Sequence, residues 1–537
     1  MENRSFTIEN NIIKGEKLPP LPTDLRLNEV MLEKFKNNSE SIAQIDTKTG
    51  ETWTYQELKD YSIRCALWLK KEGIKAGDII SICSDNHIRT IVPLCGGFFI
   101  GANINPWFCN WTPEVAVHYV NLTKPKIVFA NENAAKMLKE VFQQENVNTK
   151  IVVFGKLPGF ESFDDIIKDW SAEEIDNFQC YPVRHEDSAL LVFSSGSSGL
   201  PKGIQHSYRS LHYNMYRFSK DFGIRKKYVV MEITSIFWMT GILTYMYSLL
   251  NAYESIIMNN PTCDEICEAI QQYKVQFVFF KSAYLNELNK SNLLEKYDFS
   301  SVEILVAGGS QVLADSTKKI STFLKNGETF QSYGLTEIAT IGTLQNKGHK
   351  NHNSCGVICY DLEMKIVDAN TKQILGPNER GEIYFKQECI MDKYYNNPEA
   401  TAEAIDKDGW FHTGDFGYYD KDGNIFLVDR LKEVIKYRSE SIYPAEIENH
   451  LLKHPNVFQV AVVPVPHSID VEHPMAFIST VDNVKISEEE ILKMASVLGE
   501  ERKLHGGIKF LDKLPETANG KIDRVKLKKM AKVYAHE

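Results

Sequence analysis

The chain has 537 residues, a formal net charge of −10 from 61 Lys and Arg against 71 Asp and Glu, and a hydrophobic fraction of 43%. That length exceeds what one hydrophobic core organises, and the ordinary apolar and charged fractions exclude a disordered or fibrous protein. The acidic balance excludes a broad nucleic-acid or anionic-membrane surface, so the expected partners are small molecules.

Residues 1–10 are polar and charged and lack the apolar stretch of a secretory signal, so the expected compartment is reducing. The ten scattered cysteines are then free thiols, and the pairs Cys263 with Cys267 and Cys355 with Cys359 have the spacing of neighbours on a helix turn. The end Ala535-His536-Glu537 is not a Ser-Lys-Leu peroxisomal address, which leaves the cytoplasm as the expected location. Residues before about Pro22 read as a loosely packed lead-in.

From there to about Gly356, apolar runs at 79–82, 127–130, 151–154, 275–280 and 304–307 alternate with helical patterns such as 134–142. Such alternation predicts a mostly parallel, helix-covered sheet. Between Glu232 and Glu254 no residue is charged, a length that could cross a bilayer. Thr234, Ser235, Thr240, Gly241, Thr244 and Ser248 dilute it, and the expectation is a buried segment lining an apolar pocket, with no integral membrane segment. From about Tyr360, short strands at 363–367, 382–385 and 424–428 predict a β-rich layer. After Arg430 comes an α+β unit with helices at 445–452 and 488–498 and strands at 457–463 and 475–479.

The densest chemical signal is residues 194–203, SSGSSGLPKG, directly after the apolar strand-like run 189–193. Gly196 and Gly199 let backbone amides converge on an anion, Ser194, Ser195, Ser197 and Ser198 add hydroxyls, and Lys202 adds a charge. The implied ligand is a nucleoside triphosphate. The loop departs from the Gly-Lys-Ser/Thr phosphate loop because Lys202 lies between Pro201 and Gly203, and by composition alone it also reads as a flexible connection. A second glycine group, Gly308 and Gly309 followed by Ser310, ends the run 304–307, where open α/β sheets place ligands.

Further motifs follow: QSYGLTE at 331–337, FHTGDFG at 411–417, VDRLKEVIK at 428–436 and NGKIDR at 519–524. In this order, and with the Ser/Gly loop, they resemble the signature set of the adenylate-forming enzymes, the acyl-CoA synthetases, 4-coumarate-type CoA ligases and insect luciferases. The likeness runs from TWTYQEL at Thr52, similar to the family's opening helix, to Lys521. GANINP at 101–106 and NLTKPKIVFA at 121–130 resemble the luciferase-like acyl-CoA synthetases of insects.

The resemblance implies an α/β fold with a large N-terminal domain at 1–428, made of helix-covered sheets and a β-rich layer. A hinge at 429–432 and a small mobile α+β domain at 433–537 complete it. It implies that residues 194–202 hold the β- and γ-phosphates of ATP, that Tyr333 packs on the adenine, with Gln331, Gly308, Gly309 and Ser310 among the nucleotide-binding residues, that Thr336 contacts the α-phosphate and that Glu337 helps hold Mg²⁺. Asp415 would bind the ribose, and Arg430 ribose and phosphate. Lys521 would bridge carboxylate and α-phosphate during adenylation, and Lys436 would serve the second half-reaction, with coenzyme A as co-substrate.

Departures from the family pattern are Ser198 for the commoner Thr and Ser439 for a Gly after the hinge. Beetle luciferases carry His-His-Gly-Phe-Gly where this chain reads Phe237-Trp238-Met239-Thr240-Gly241, so Trp238 would reshape the acyl site. Arg217 resembles a luciferin-pocket arginine on a short match, its plainer reading being a solvated helix-surface residue. The expected activity is an ATP-dependent acid-thiol ligase for a fatty or aromatic carboxylic acid. The alternative is a luciferase that adenylates a luciferin and oxidises it with O₂.

Overall fold

Local chemistry starts the helices where polar caps meet apolar repeats. In the computed structural model Thr54 accepts a hydrogen bond from the Glu57 amide while the Glu57 carboxylate accepts from the Thr54 amide, so TWTYQEL opens helix Tyr55–Lys71 with a reciprocal cap. Thr262 and Glu265 do the same for helix Cys263–Tyr273. Each such cap contributes about 1 kcal/mol. The structure describes residues 3–22, 24–194, 201–223, 227–309, 312–438, 440–481, 484–517 and 521–534.

The chain divides into two units, one of residues 1–9, 13–364 and 385–411, the other of 10–12, 365–384 and 412–537. The first holds two large sheets. In the eight-stranded one, spatial order runs Lys393–Tyr394, Lys202–Ser207, Ser188–Ser194, Asn103–Trp107, Ile79–Cys83, Ile127–Ala130, Lys150–Val153, Glu161–Ser162. From Ser188–Ser194 to Glu161–Ser162 the pairings are parallel, and the edge from Ser188–Ser194 to Lys393–Tyr394 is antiparallel. In the nine-stranded sheet Phe277–Lys281, Ile304–Gly308 and Glu328–Leu335 lie side by side and parallel. Their apolar runs are buried on both faces, as helix-covered parallel strands require.

The uncharged stretch ends in helix Met239–Asn251, most of which is buried in the first unit, and no described helix is long and apolar enough to cross a membrane. Gly241 is required there, because a Cβ would stand 2.2 Å from the Ser235 carbonyl oxygen.

In the second unit, strands Phe411–Tyr419 and Ile425–Arg430 pair antiparallel. A five-stranded sheet is built on the hairpin Val457–His467 and Val471–Thr480, flanked by helices Pro444–Leu451 and Glu488–Ser496. Its core joins Ile447, Leu451, Val460, Val462, Ile478 and Ile491. Helix Arg524–Tyr534 covers the other face through Leu527 and Ala531. The second unit takes up the chain without a break from His412, so the strands carrying Asp415 and Arg430 belong with the C-terminal part.

Two expectations need correction. Residues before Pro22 are no loose lead-in, because Phe6–Glu9 and Ile12–Gly15 are neighbouring strands of one sheet. Arg4 is buried, donating to the carbonyls of Asp221, Leu344 and Gln345, so one arginine inside the protein ties the segment down. Cys355 and Cys359 share no helix turn, since they flank the short strand Val357–Ile358, whereas Cys263 and Cys267 do lie on one helix. All ten cysteines are unbridged.

Candidate active site

The Ser/Gly loop leaves one strand and enters its antiparallel neighbour, with Ser194 directly opposite Lys202. Ser195, Gly196, Ser197, Ser198 and Gly199 lie outside the described residues, as do Ser310, Ser439 and Gly520. At the loop's far stem the His118 Nε2 donates to the Pro201 carbonyl at 2.9 Å, which anchors the chain just before Lys202.

Lys202 and Glu337, distant in the sequence, are linked through one tyrosine. The Lys202 ammonium lies 4.8 Å from the centroid of the Tyr394 ring, and the Tyr394 hydroxyl donates to Glu337 Oε1 at 2.9 Å. Strand pairing enforces this, because Lys202–Ser207 runs antiparallel to Lys393–Tyr394 with Ile204 opposite Tyr394. Glu337 is buried within the short turn Thr336–Ile338. The turn is fixed by His206, whose Nε2 donates to the Thr336 carbonyl, and burial pushes that histidine down to about 4, so it is neutral near pH 7. A cation, a carboxylate and the half-buried Thr336 thus gather at the loop's stem.

Gly308 ends its strand, packed so closely that a Cβ would meet Ser332 Oγ at 2.8 Å, and Gly309, at φ +84°, faces open space. Tyr333 lies 5.8 Å from the Phe385 ring. Gln331 is committed to the protein itself, its side-chain amide donating to the His352 carbonyl at 2.6 Å.

The pocket segment holds an aromatic run. Phe237 is fully buried, 5.6 Å from Phe108 and 6.3 Å from Trp111, and Trp238 caps helix Met239–Asn251 half-buried, its ring 5.9 Å from the Lys281 ammonium. Thr240 and Gly241 form the first turn of that helix. Arg217 is not a solvated helix residue. It is fully enclosed, donating to the carbonyls of Ile341 and Tyr360 and pairing with Asp221 at 3.6 Å.

In the second unit Asp415 stands opposite Arg430 across two strands, and Arg430 Nε meets Asp415 Oδ1 at 2.7 Å. Asp415 is buried while Arg430 is about half exposed. Lys436 is exposed on strand Ile435–Tyr437 and donates to Ser441 Oγ. Lys521 is exposed where the Glu516 and Ile522 bridge closes a small loop.

The chain matches the AMP-binding enzyme family over residues 32–395, well over half its length, and the AMP-binding enzyme C-terminal domain over 446–521. It belongs to the AMP-binding enzymes. Among these adenylate-forming proteins it is 32% identical over 540 residues to a luciferin 4-monooxygenase of Photuris pensylvanica, covering 97% of this chain and 98% of that one. It is 29% identical over 546 residues to 4-coumarate–CoA ligase 3 of Oryza sativa subsp. japonica, covering 98% and 96%. The luciferase-like enzyme from the nonluminescent mealworm Zophobas morio superposes with a TM-score of 0.74 at 28% identity, covering 79% of this chain and 99% of that structure. As a member of this ATP-using, adenylate-forming family, the chain carries its described motif residues mostly on strands and short helical turns, with Arg524 opening helix Arg524–Tyr534.

Sequence reasoning missed Tyr394 and His118. Neither belongs to a motif with the residue it supports, and only strand pairing brings Tyr394 to Glu337 and only helix packing brings His118 to Pro201.

Proposed function

We propose that the protein is an ATP- and Mg²⁺-dependent acid-thiol ligase that turns a fatty or aromatic carboxylic acid into an acyl-adenylate and then an acyl-CoA. The observation that carries this reading is the gathering of Lys202, Tyr394 and Glu337 at the stem of the Ser/Gly loop of an AMP-binding enzyme.

A carboxylate is a poor electrophile because its charge is delocalised and oxide does not leave. Attack of its oxygen on the α-phosphorus of ATP, with loss of pyrophosphate, gives a mixed anhydride that a thiol can open. The step needs phosphate charge offset and reactants positioned more than it needs a protein nucleophile. In this reading Lys202 offsets charge on the outer phosphates, and Thr336 donates its hydroxyl to the α-phosphate. Glu337 presents a hard carboxylate, oriented by Tyr394, which fits Mg²⁺. When bound, that ion spreads the negative charge of the phosphate oxygens. Gly309 leaves room for a base, and Asp415, a carboxylate that can accept several hydrogen bonds, accepts from ribose hydroxyls. Lys521 offsets charge as carboxylate and phosphate meet. Lys436 acts on the thiol step after rotation about 429–432.

A second reading, a luciferase that couples the same adenylation to O₂ and light, is favoured by the 32% identity to a luciferin 4-monooxygenase. Trp238 in the pocket segment speaks against a beetle luciferin, because a large indole stands at a position where beetle luciferases resemble one another in carrying histidine.

The test is purified protein with ATP, Mg²⁺, coenzyme A and a panel of acids, reading pyrophosphate, free thiol and photons together. Acid-dependent pyrophosphate release with matching loss of thiol is the expected result. Light with an added luciferin and no thiol loss would put the second reading first, and no acid-dependent pyrophosphate at all would remove both.

A further inference from the structure

The hairpin of Val457–His467 and Val471–Thr480 closes through residues 468–470, and its turn folds Asp470 back onto two histidines of the strands. Asp470 Oδ2 stands 3.0 Å from His473 Nε2 and 3.5 Å from His467 Nδ1, and the three ligand atoms all lie within 4.8 Å of one another. Ligand atoms around one tetrahedral ion with bonds of about 2.0 to 2.1 Å stand about 3.3 to 3.4 Å apart, so the cluster has nearly the size of a coordination sphere. We propose that His467, Asp470 and His473 form a binding site for a divalent transition-metal ion of the zinc type, with a fourth position open to solvent or a ligand.

The donor set suits such an ion, since two imidazoles and one carboxylate match a borderline cation better than the oxygen-only shells of calcium or magnesium. The carboxylate is aimed from outside the site. Arg438 Nε donates to Asp470 Oδ1 at 2.7 Å, leaving Oδ2 to the histidines, and the Arg438 amide donates to the Asp470 carbonyl at 2.8 Å. The turn holds its shape at a local cost: Val471, a β-branched residue, sits at φ +74°.

Proton positions follow from the hydrogen bonds. His473 Nε2 donates to Asp470 Oδ2 at 3.0 Å. His467 Nδ1 carries its lone pair and accepts the Ile469 and Asp470 amides at 3.4 and 3.1 Å, bonds that must be given up before this nitrogen binds an ion. On metal uptake the Nε2 proton of His473 leaves to solvent from a charged ring, or moves to Nδ1 in a neutral one, and acid opposes binding. The two rings are stacked, with centroids 3.9 Å apart and planes 18° from parallel. In-plane lone pairs of stacked rings do not converge, so one ring must turn about its Cβ–Cγ bond to take the ion.

The site shares no residue with the motifs assigned to adenylation, so it can be tested without substrate and apart from the ligase reading. Untagged full-length protein, stripped with chelator, is titrated with Co²⁺ and followed by visible absorption, and with Zn²⁺ by calorimetry. The expected result is one equivalent bound with the absorption of a four-coordinate ion, weakened at least about ten-fold in His467→Ala, in His473→Ala and in Asp470→Asn, and unchanged in His454→Gln. Circular dichroism of each variant checks that the turn substitutions leave the fold intact. Absence of saturable binding, or equal binding in the wild type and all three site variants, would overturn the proposal.

Discussion

At the scale of single residues, Glu232 is a heavily perturbed carboxylate that the motifs do not contain. It ends strand Val229–Glu232, is fully buried, and accepts hydrogen bonds from Thr244 Oγ1 at 2.6 Å and Ser248 Oγ at 2.9 Å. Burial outweighs those donors and pushes it up to about 7. A carboxyl raised on folding binds its proton more tightly in the folded state, so its contribution to stability is full below the unfolded value and declines as pH rises from about 4.5 to 7. A tenfold difference in proton affinity is worth about 1.4 kcal/mol, so the decline is on the order of 3 kcal/mol. Glu232→Gln should therefore flatten this part of the pH dependence, as read by urea midpoints of wild type and variant at about pH 4.5 and about pH 7.5; a constant difference between the two proteins would contradict it. Tyr394 gives a second residue-scale expectation. Tyr394→Phe removes the donor to Glu337 without changing the ring beside Lys202. Hydrogen bonds to charged groups contribute about 1.5 to 3 kcal/mol, so adenylation should need about ten-fold more Mg²⁺ for half-maximal pyrophosphate release. Superimposable Mg²⁺ curves would take Tyr394 out of that role.

At the scale of elements, the start of helix Met239–Asn251 is the segment that would shape the proposed acyl pocket. Trp238 N donates to the Ser235 carbonyl and Ile242 N to the Trp238 carbonyl, so a tight turn feeds the helix with Gly241 pressed on the Ser235 backbone. Gly241→Ala places a methyl group 2.2 Å from that carbonyl oxygen, and relief requires the turn to shift, at a cost of about 1 to 3 kcal/mol. The expected result is a lower urea midpoint together with altered acid preference, whereas an unchanged midpoint would show that the turn adapts freely. Trp238→Ala acts on the same element from its half-exposed side. Removing the indole should shift acid preference toward bulkier substrates while ATP dependence stays as it was, measured by pyrophosphate release across acids of graded size. Identical preference profiles would place the indole outside the acyl site.

At the scale of the whole molecule, the proposed ligase assigns its two half-reactions to two lysines carried by different elements of the second unit, Lys521 beside the Glu516 and Ile522 bridge and Lys436 on strand Ile435–Tyr437. The segment 429–432 lies before both. Around it, Asp429 accepts from the Ala445 amide, burial pushes Asp429 up to about 6, and Phe416 stacks on Tyr443 with centroids 5.4 Å apart. In the proposed mechanism, rotation about the segment would part these contacts. Lys521→Ala should cost adenylation about 2 to 4 kcal/mol, seen as slower pyrophosphate release, while thioester formation from supplied acyl-adenylate continues. Lys436→Ala should show the opposite pattern, and Lys432→Pro, which fixes φ in the turn, should resemble Lys436→Ala. Equal losses in both half-reactions for either alanine variant would refute the division of labour.

The family, the α/β class, the central strands and the motif positions are legible in the order of residues, whereas the N-terminal strands Phe6–Glu9 and Ile12–Gly15 are not. Apolar runs such as 189–193 and 304–307 lie in strands Ser188–Ser194 and Ile304–Gly308, because buried parallel strands and their turn chemistry are written locally. Which groups meet is a different matter, settled only in the folded chain. Tyr394 reaches Glu337 only because Lys393–Tyr394 adds to the edge of the strand that Lys202 opens, and Arg4 becomes a buried anchor only because carbonyls of distant segments surround it. Arg217 shows the same limit. Helical spacing places it on Tyr208–Phe222, but burial against Ile341 and Tyr360 is set by the sheet packed on that helix. Period and propensity act over a few residues, whereas contacts between distant segments depend on strand order, and strand order is a property of the folded whole.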